Sequence, residues 1–158
     1  MKILDGYTLE LLQALNQHEV EYLVVGGYAV NFHGYRRTTG DIDLWIKPDN
    51  DNKVKIIAVL KEMEVDETML EQLSAFDFTE SLVFSDGVEP FKIDFLTHIS
   101  NVKFDEVWDK RIVSEIDGIE IPYIDLKNLL LSKFTTDRLK DKIDIEELQK
   151  IMKLRRKD

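Results

Sequence analysis

Residues 24–46 read VVGGYAVNFHGYRRTTGDIDLWI, and the order of residue types in this stretch decides the fold. The run from Val20 to Val25 is apolar and is closed by Gly26-Gly27, which predicts a buried strand entering a sharp turn. A short helix over Tyr28 to His33 follows and stops at Gly34. Strand character returns over Asp41 to Ile46, and Pro48 ends it. Residues two apart on a strand share a face. Asp41 and Asp43 therefore stand together, while Ile42, Leu44 and Ile46 face the core.

Two neighbouring carboxylates repel one another and are poor strand formers. A divalent metal removes that conflict, and magnesium takes one or two carboxylates plus phosphate oxygens and water. A solvated edge strand with its charges outward is the plainer alternative for Asp-x-Asp alone. The glycine pair carries a similar choice. It lets a backbone approach a phosphate closely, and it is also what an ordinary tight turn needs. A third carboxylate lies in FKIDFL, residues 91–96, where alternation puts Phe91, Ile93 and Phe95 on one face and Lys92, Asp94 and Leu96 on the other. If its strand lies beside the first motif, Asp94 joins Asp41 and Asp43 in a set able to hold two metal ions.

Outward from these motifs, Thr8 to Gln17 reads as a helix with Leu9, Leu12 and Leu15 near one face, and Lys53 to Met63 as another. Ser81 to Phe84 and Phe91 to Leu96 are expected to form strands joined through Asp86-Gly87. Ile112 to Ile116 and Ile119 to Tyr123 flank a second hairpin signal at Asp117-Gly118. Phe104, Val107 and Trp108 mark a helix, as do Leu126 to Phe134 and about Asp141 to Leu154. The chain reads as an α+β fold with a mixed sheet flanked by helices. Its core spans 1–124 and a short helical extension spans 125–158, within one compact unit. Trp45, Trp108 and Phe134 are core candidates, His33 a helix-end residue, and the Lys150–Lys157 cluster a solvated helix C-terminus.

Bulk properties narrow the function. The chain of 158 residues contains no cysteine, which excludes a disulfide scaffold, a thiolate zinc site and a cysteine nucleophile. There is no apolar run long enough to span a membrane and no signal-peptide pattern, so a cytoplasmic protein is expected. A net charge of −10 argues against an extended nucleic-acid surface. It leaves room for a small phosphorylated substrate, which needs only a few local donors.

The glycine pair, a short helix, Arg37, Thr39, Asp41 and Asp43, with Asp94 on a later strand, resembles the polymerase-beta-like nucleotidyltransferase superfamily. It looks especially like small bacterial members related to abortive-infection toxins, and the resemblance runs over roughly Leu15 to Leu148. Near the end, Arg138-Leu139-Lys140-Asp141 with Asp144-Ile145 resembles the Arg-x-Lys-Asp-x-x-Asp-Ile segment of those relatives. The resemblance implies that Gly26 and Gly27 contact a nucleoside triphosphate and that Asp41 and Asp43 bind magnesium. It further implies that Asp94 helps to activate an acceptor hydroxyl. Arg37 and Thr39 match the usual lead-in to the acidic pair, and Arg37, Lys133, Arg138 and Lys140 are candidate phosphate or base contacts. One departure is in the turn itself: many active members carry a serine after its first glycine, able to donate to phosphate, whereas this chain reads Gly26-Gly27-Tyr28. The acceptor, and any protein partner or second copy completing its pocket, is not written in the sequence. A catalytically weak binding module of a toxin–antitoxin-like pair is the competing expectation.

Overall fold

A computed structural model describes residues 4–156. Among these residues seven helices surround one six-stranded mixed sheet, so the α+β expectation is met. Helix α1 (Gly6–Gln17) is started by Asp5, whose carboxylate accepts the amide N–H of Thr8 at 3.0 Å. Its buried face is Leu11, Leu12 and Leu15, whereas Leu9 is only partly covered. Strand β1 (Tyr22–Val25) runs directly into α2 (Gly26–Phe32) and β2 (Ile42–Ile46) follows, so the strand–turn–helix–strand order of residues 20–46 is as read. Next come α3 (Asn50–Glu62) and α4 (Glu67–Ala75). The sequence reading missed α4, although Asp66 caps it and Met69, Leu70 and Leu73 carry helical spacing.

Strands β3 (Val83–Asp86) and β4 (Ile93–Leu96) pair antiparallel. Their connection is longer than a two-residue turn, and Phe91 lies outside β4 and is exposed. After α5 (Phe104–Trp108), β5 (Ile112–Ile116) and β6 (Ile119–Tyr123) form the tight hairpin expected at Asp117-Gly118. Both turn residues have positive φ, 51° and 81°, as a type I′ turn requires. Helices α6 (Leu126–Lys133) and α7 (Leu139–Arg156) complete the chain. Lys157 of the terminal basic cluster lies outside the described residues.

The strand order is β3-β4-β2-β1-β6-β5. Side-chain alternation gives the sheet two covered faces. Ile42, Leu44, Ile46, Ile93 and Phe95 pack with α1, α3 and Phe78 on one side. Leu23, Val25 and Trp45 pack on the other with Phe104, Leu126, Leu129, Leu130 and Leu148. Trp45 is fully buried, as expected of a core residue, and its indole N–H donates to the Thr97 carbonyl at 3.0 Å. Phe134 corrects the reading, because it is half exposed at the end of α6. Leu148 fixes α7 to the second face and is fully buried, a contact worth roughly 2–5 kcal/mol against alanine. That contact brings the Arg138–Asp144 segment over the edge of the sheet where β1 ends and β2 begins.

Candidate active site

Backbone pairing, rather than sequence proximity, assembles the acidic cluster. Strands β2 and β4 run parallel in a register that places Asp43 opposite Asp94. The row continues across neighbouring strands, with Val25 opposite Asp43 and Ser85 opposite Asp94. Asp41 precedes β2 by one residue and points to the same side as Asp43. The three carboxylates that the sequence singled out on two separate strands are thus neighbours.

Their electrostatics show the crowding. Burial raises the Asp43 carboxyl to about 6, with further contributions from the charges of Asp94 and Asp41. Its protonated form hydrogen-bonds Asp94, and Lys133 opposes the rise. The Ser85 hydroxyl donates to Asp94 Oδ1 at 2.5 Å. Lys92 Nζ lies 3.5 Å from Asp41 Oδ2 and 3.7 Å from Asp94 Oδ1, with Glu89 Oε1 at 3.8 Å. Asp41 Oδ1 is buried and has no hydrogen-bond partner. An orphaned buried carboxylate oxygen costs free energy unless something binds it.

The glycine pair fits tightly against this cluster. Gly26 adopts φ +66°, which suits glycine, and a Cβ there would stand 2.2 Å from Asp43 Oδ2. A Cβ on Gly27 would stand 2.0 Å from Thr39 Oγ1 and 3.3 Å from Arg37 Nη1. Thr39 is therefore a wall behind the turn, held against the glycine backbone. Tyr28, which follows the pair, packs against the first core face.

The basic residues divide into two kinds. Arg37 grips the fully buried Asp144 with two parallel bonds, Nε to Oδ1 at 2.7 Å and Nη2 to Oδ2 at 2.8 Å. Lys133, itself buried, reaches Asp141 at 2.9 Å and Asp144 at 3.1 Å. Arg37 thereby ties α7 to the lead-in to β2, and Lys133 ties it to the end of α6. Arg138, by contrast, is 72% exposed at its side chain and makes only a loose contact with Asp141, at 3.9 Å. It is available to a ligand. Lys140 is also exposed.

A cleft of about 320 Å³ joins these parts. Its walls include Gly26, Gly27, Arg37, Asp43, Lys133, Arg138 and Lys140, with Ser100 and Ser132 opposite. Asp41 and Asp94 adjoin it through Asp43, and Thr39 backs Gly27. A larger groove of about 670 Å³ runs along Asn31–Thr39 but holds none of the carboxylates. Chemistry, not size, marks the smaller cleft. The sequence reading missed Lys92 and Ser85 as members of the site. Lys92 was legible as the residue sharing a face with Asp94, whereas Ser85 depends on strand register.

The family model described as nucleotidyltransferase of unknown function (DUF6036) matches residues 4–155. The chain belongs to that family. It is thus a nucleotidyltransferase by family, and solved structures share its fold. Lincomycin-bound LnuA, a lincosamide antibiotic adenylyltransferase, superposes with a TM-score of 0.55 at 16% identity, covering 96% of this chain and 99% of that one. ANT(2'')-Ia in complex with adenylyl-2''-tobramycin gives 0.53 at 14% identity, covering 94% of each. TM1012 from Thermotoga maritima gives 0.51 at 12% identity, covering 98% and 94%. No curated protein matches the sequence. Among the described residues no helix is long and apolar enough to cross a membrane.

Among the described residues no group of three or more His, Asp or Glu side chains already forms an ion cage. Magnesium does not need one, because carboxylate pairs complete its shell with phosphate oxygens and water. The oxygen-only donor set and the orphaned Asp41 oxygen fit a hard divalent cation.

Proposed function

We propose that this nucleotidyltransferase moves a nucleoside monophosphate from a nucleoside triphosphate to an acceptor hydroxyl, using magnesium held by Asp41 and Asp43. The single observation that carries the proposal is the Asp43–Asp94 register, which sets a third carboxylate beside the pair at the mouth of a basic cleft. Bound magnesium would neutralise the triphosphate and stabilise the leaving oxygen. The chain's own residues do the rest. Backbone N–H groups at Gly26-Gly27 and the exposed cations Arg138 and Lys140 receive the phosphates. Asp94 takes the acceptor's proton as its oxygen bonds to the α-phosphorus, and the α–β bond breaks to release pyrophosphate. Catalysis on this scheme is positioning plus electrostatic stabilisation.

A small acceptor suits the chain better than RNA, whose phosphates a net charge of −10 repels. The solved neighbours carry lincomycin and adenylyl-2''-tobramycin, ligands of that size class. Leu131, Phe134 and Leu139 are exposed around the basic rim, and a second copy or a partner protein completing the acceptor pocket would cover them. The missing serine after the first glycine of the Gly26-Gly27-Tyr28 turn favours a second reading. On it the fold serves as a binding module of a toxin–antitoxin-like pair, with turnover weakened or lost.

Calorimetry with magnesium triphosphates tests the site. Binding should be present in the parent and lost in the Asp41→Asn/Asp43→Asn double variant, and equal binding by both would refute the assignment. Labelled triphosphates added to extract would reveal covalent transfer and its acceptor together. Capture of one protein in stoichiometric amount without nucleotide, and with no label transferred, would favour the binding module.

A further inference from the structure

The Lys92 ammonium stands between Asp41 and Asp94, two of the three carboxylates that would hold a second ion in a two-metal arrangement. We infer that Lys92 takes the place of that ion, so that the site works with one divalent cation. The inference rests on the magnesium site proposed above and concerns how many ions it accepts.

Two observations carry it. The oxygens of Asp41 have different surroundings: Oδ2 faces Lys92 at 3.5 Å, while Oδ1 is buried and unpartnered. One oxygen is thus matched to the ammonium and the other is left for an ion. Asp94 is similarly engaged, since its Oδ1 meets both Lys92 at 3.7 Å and the Ser85 hydroxyl at 2.5 Å. Glu89 brings a further carboxylate to 3.8 Å from the same ammonium, so Lys92 is the cation that these acids share. Lys92 lies one residue before β4, enters neither core, and is placed by its contacts with Asp41, Glu89 and Asp94. Lys92 is accordingly a positioning residue. It supplies fixed positive charge beside the group that takes the acceptor's proton, with no coordination shell to exchange.

Manganese binding in the presence of tripolyphosphate tests this without reference to turnover or to the identity of the base. Ion count by equilibrium dialysis and the manganese spin-resonance spectrum are both read, since two ions about 3.5–4 Å apart give a coupled spectrum. The parent and Lys92→Arg should each bind one uncoupled ion per chain. Lys92→Met should bind two, with the coupled signal. Thermal unfolding of each variant establishes that it is folded, which is expected because the Lys92 side chain is 32% exposed. Two ions in the parent, or one ion in a folded Lys92→Met, would overturn the inference while leaving the magnesium site standing. No manganese on any of the three proteins would reject the site itself, and the inference with it.

Discussion

Asp43→Asn should stabilise the metal-free protein while abolishing triphosphate binding. The Asp43 carboxyl holds its proton up to about pH 6, against an ordinary value of 3.8, chiefly because it is buried and because Asp94 and Asp41 face it. Between those values the folded chain binds a proton more tightly than the unfolded chain does. The stability contributed by this group is therefore complete below pH 3.8 and is lost as pH rises through about 6. Each factor of ten in proton affinity is worth about 1.4 kcal/mol, so the ionised carboxylate costs the fold about 3 kcal/mol near pH 8. Solvent reaching the half-buried group screens part of this and leaves about 2 kcal/mol. Asparagine keeps the shape and removes the charge. Thermal unfolding in a chelator should then show the variant melting roughly 4–8 °C above the parent near pH 8. Near pH 4 the advantage should fall to about 0.5 kcal/mol, because the parent carboxyl is then neutral as well. Excess magnesium should narrow the gap by stabilising the parent alone. If the variant is no more stable near pH 8, or its advantage is the same at both pH values, the three carboxylates do not crowd one another as the geometry requires.

Other perturbations separate clamp, turn and ligand contacts. Asp144→Asn leaves Arg37 and Lys133 buried without their shared partner, and chemical denaturation should show a loss of about 3–5 kcal/mol. Gly26→Ala puts a side chain into Asp43 at a φ of +66°, so calorimetry should find triphosphate binding gone even where the protein remains folded. Gly27→Ala should act through Thr39, and calorimetry of the double variant Gly27→Ala/Thr39→Ser should recover none of the binding, because serine retains the Cβ that would stand 2.8 Å from the added atom. Arg138→Ala removes an exposed side chain, so stability should change by less than about 0.5 kcal/mol. Its triphosphate Kd should nevertheless rise roughly tenfold, the worth of one charge-assisted hydrogen bond.

Local physics made much of this protein legible in its sequence. The run of apolar residues before Gly26-Gly27, the period-two alternation of DIDLWI and FKIDFL, and the Asp117-Gly118 turn act over a few residues, so each element could be read in place. The face on which Asp41, Asp43, Lys92 and Asp94 lie follows from the same alternation. Helix α4 was also within reach, and was overlooked because its apolar stretch is short and mostly exposed.

Meetings between distant residues were not legible. Asp94 sits opposite Asp43 because β4 joins β2 in parallel in one particular register, and a shift of a single residue would have turned it to the other face. Arg37 and Lys133 were candidate phosphate ligands as far as residue type could tell. Packing of α7 through Leu148 brings the buried Asp144 to them instead and leaves Arg138 and Lys140 facing the cleft. A sequence determines which side chains a strand or helix presents, since that depends on neighbours along the chain. Which charges end up within a few ångströms of each other depends on how those elements close upon one another, and only the tertiary structure decided that.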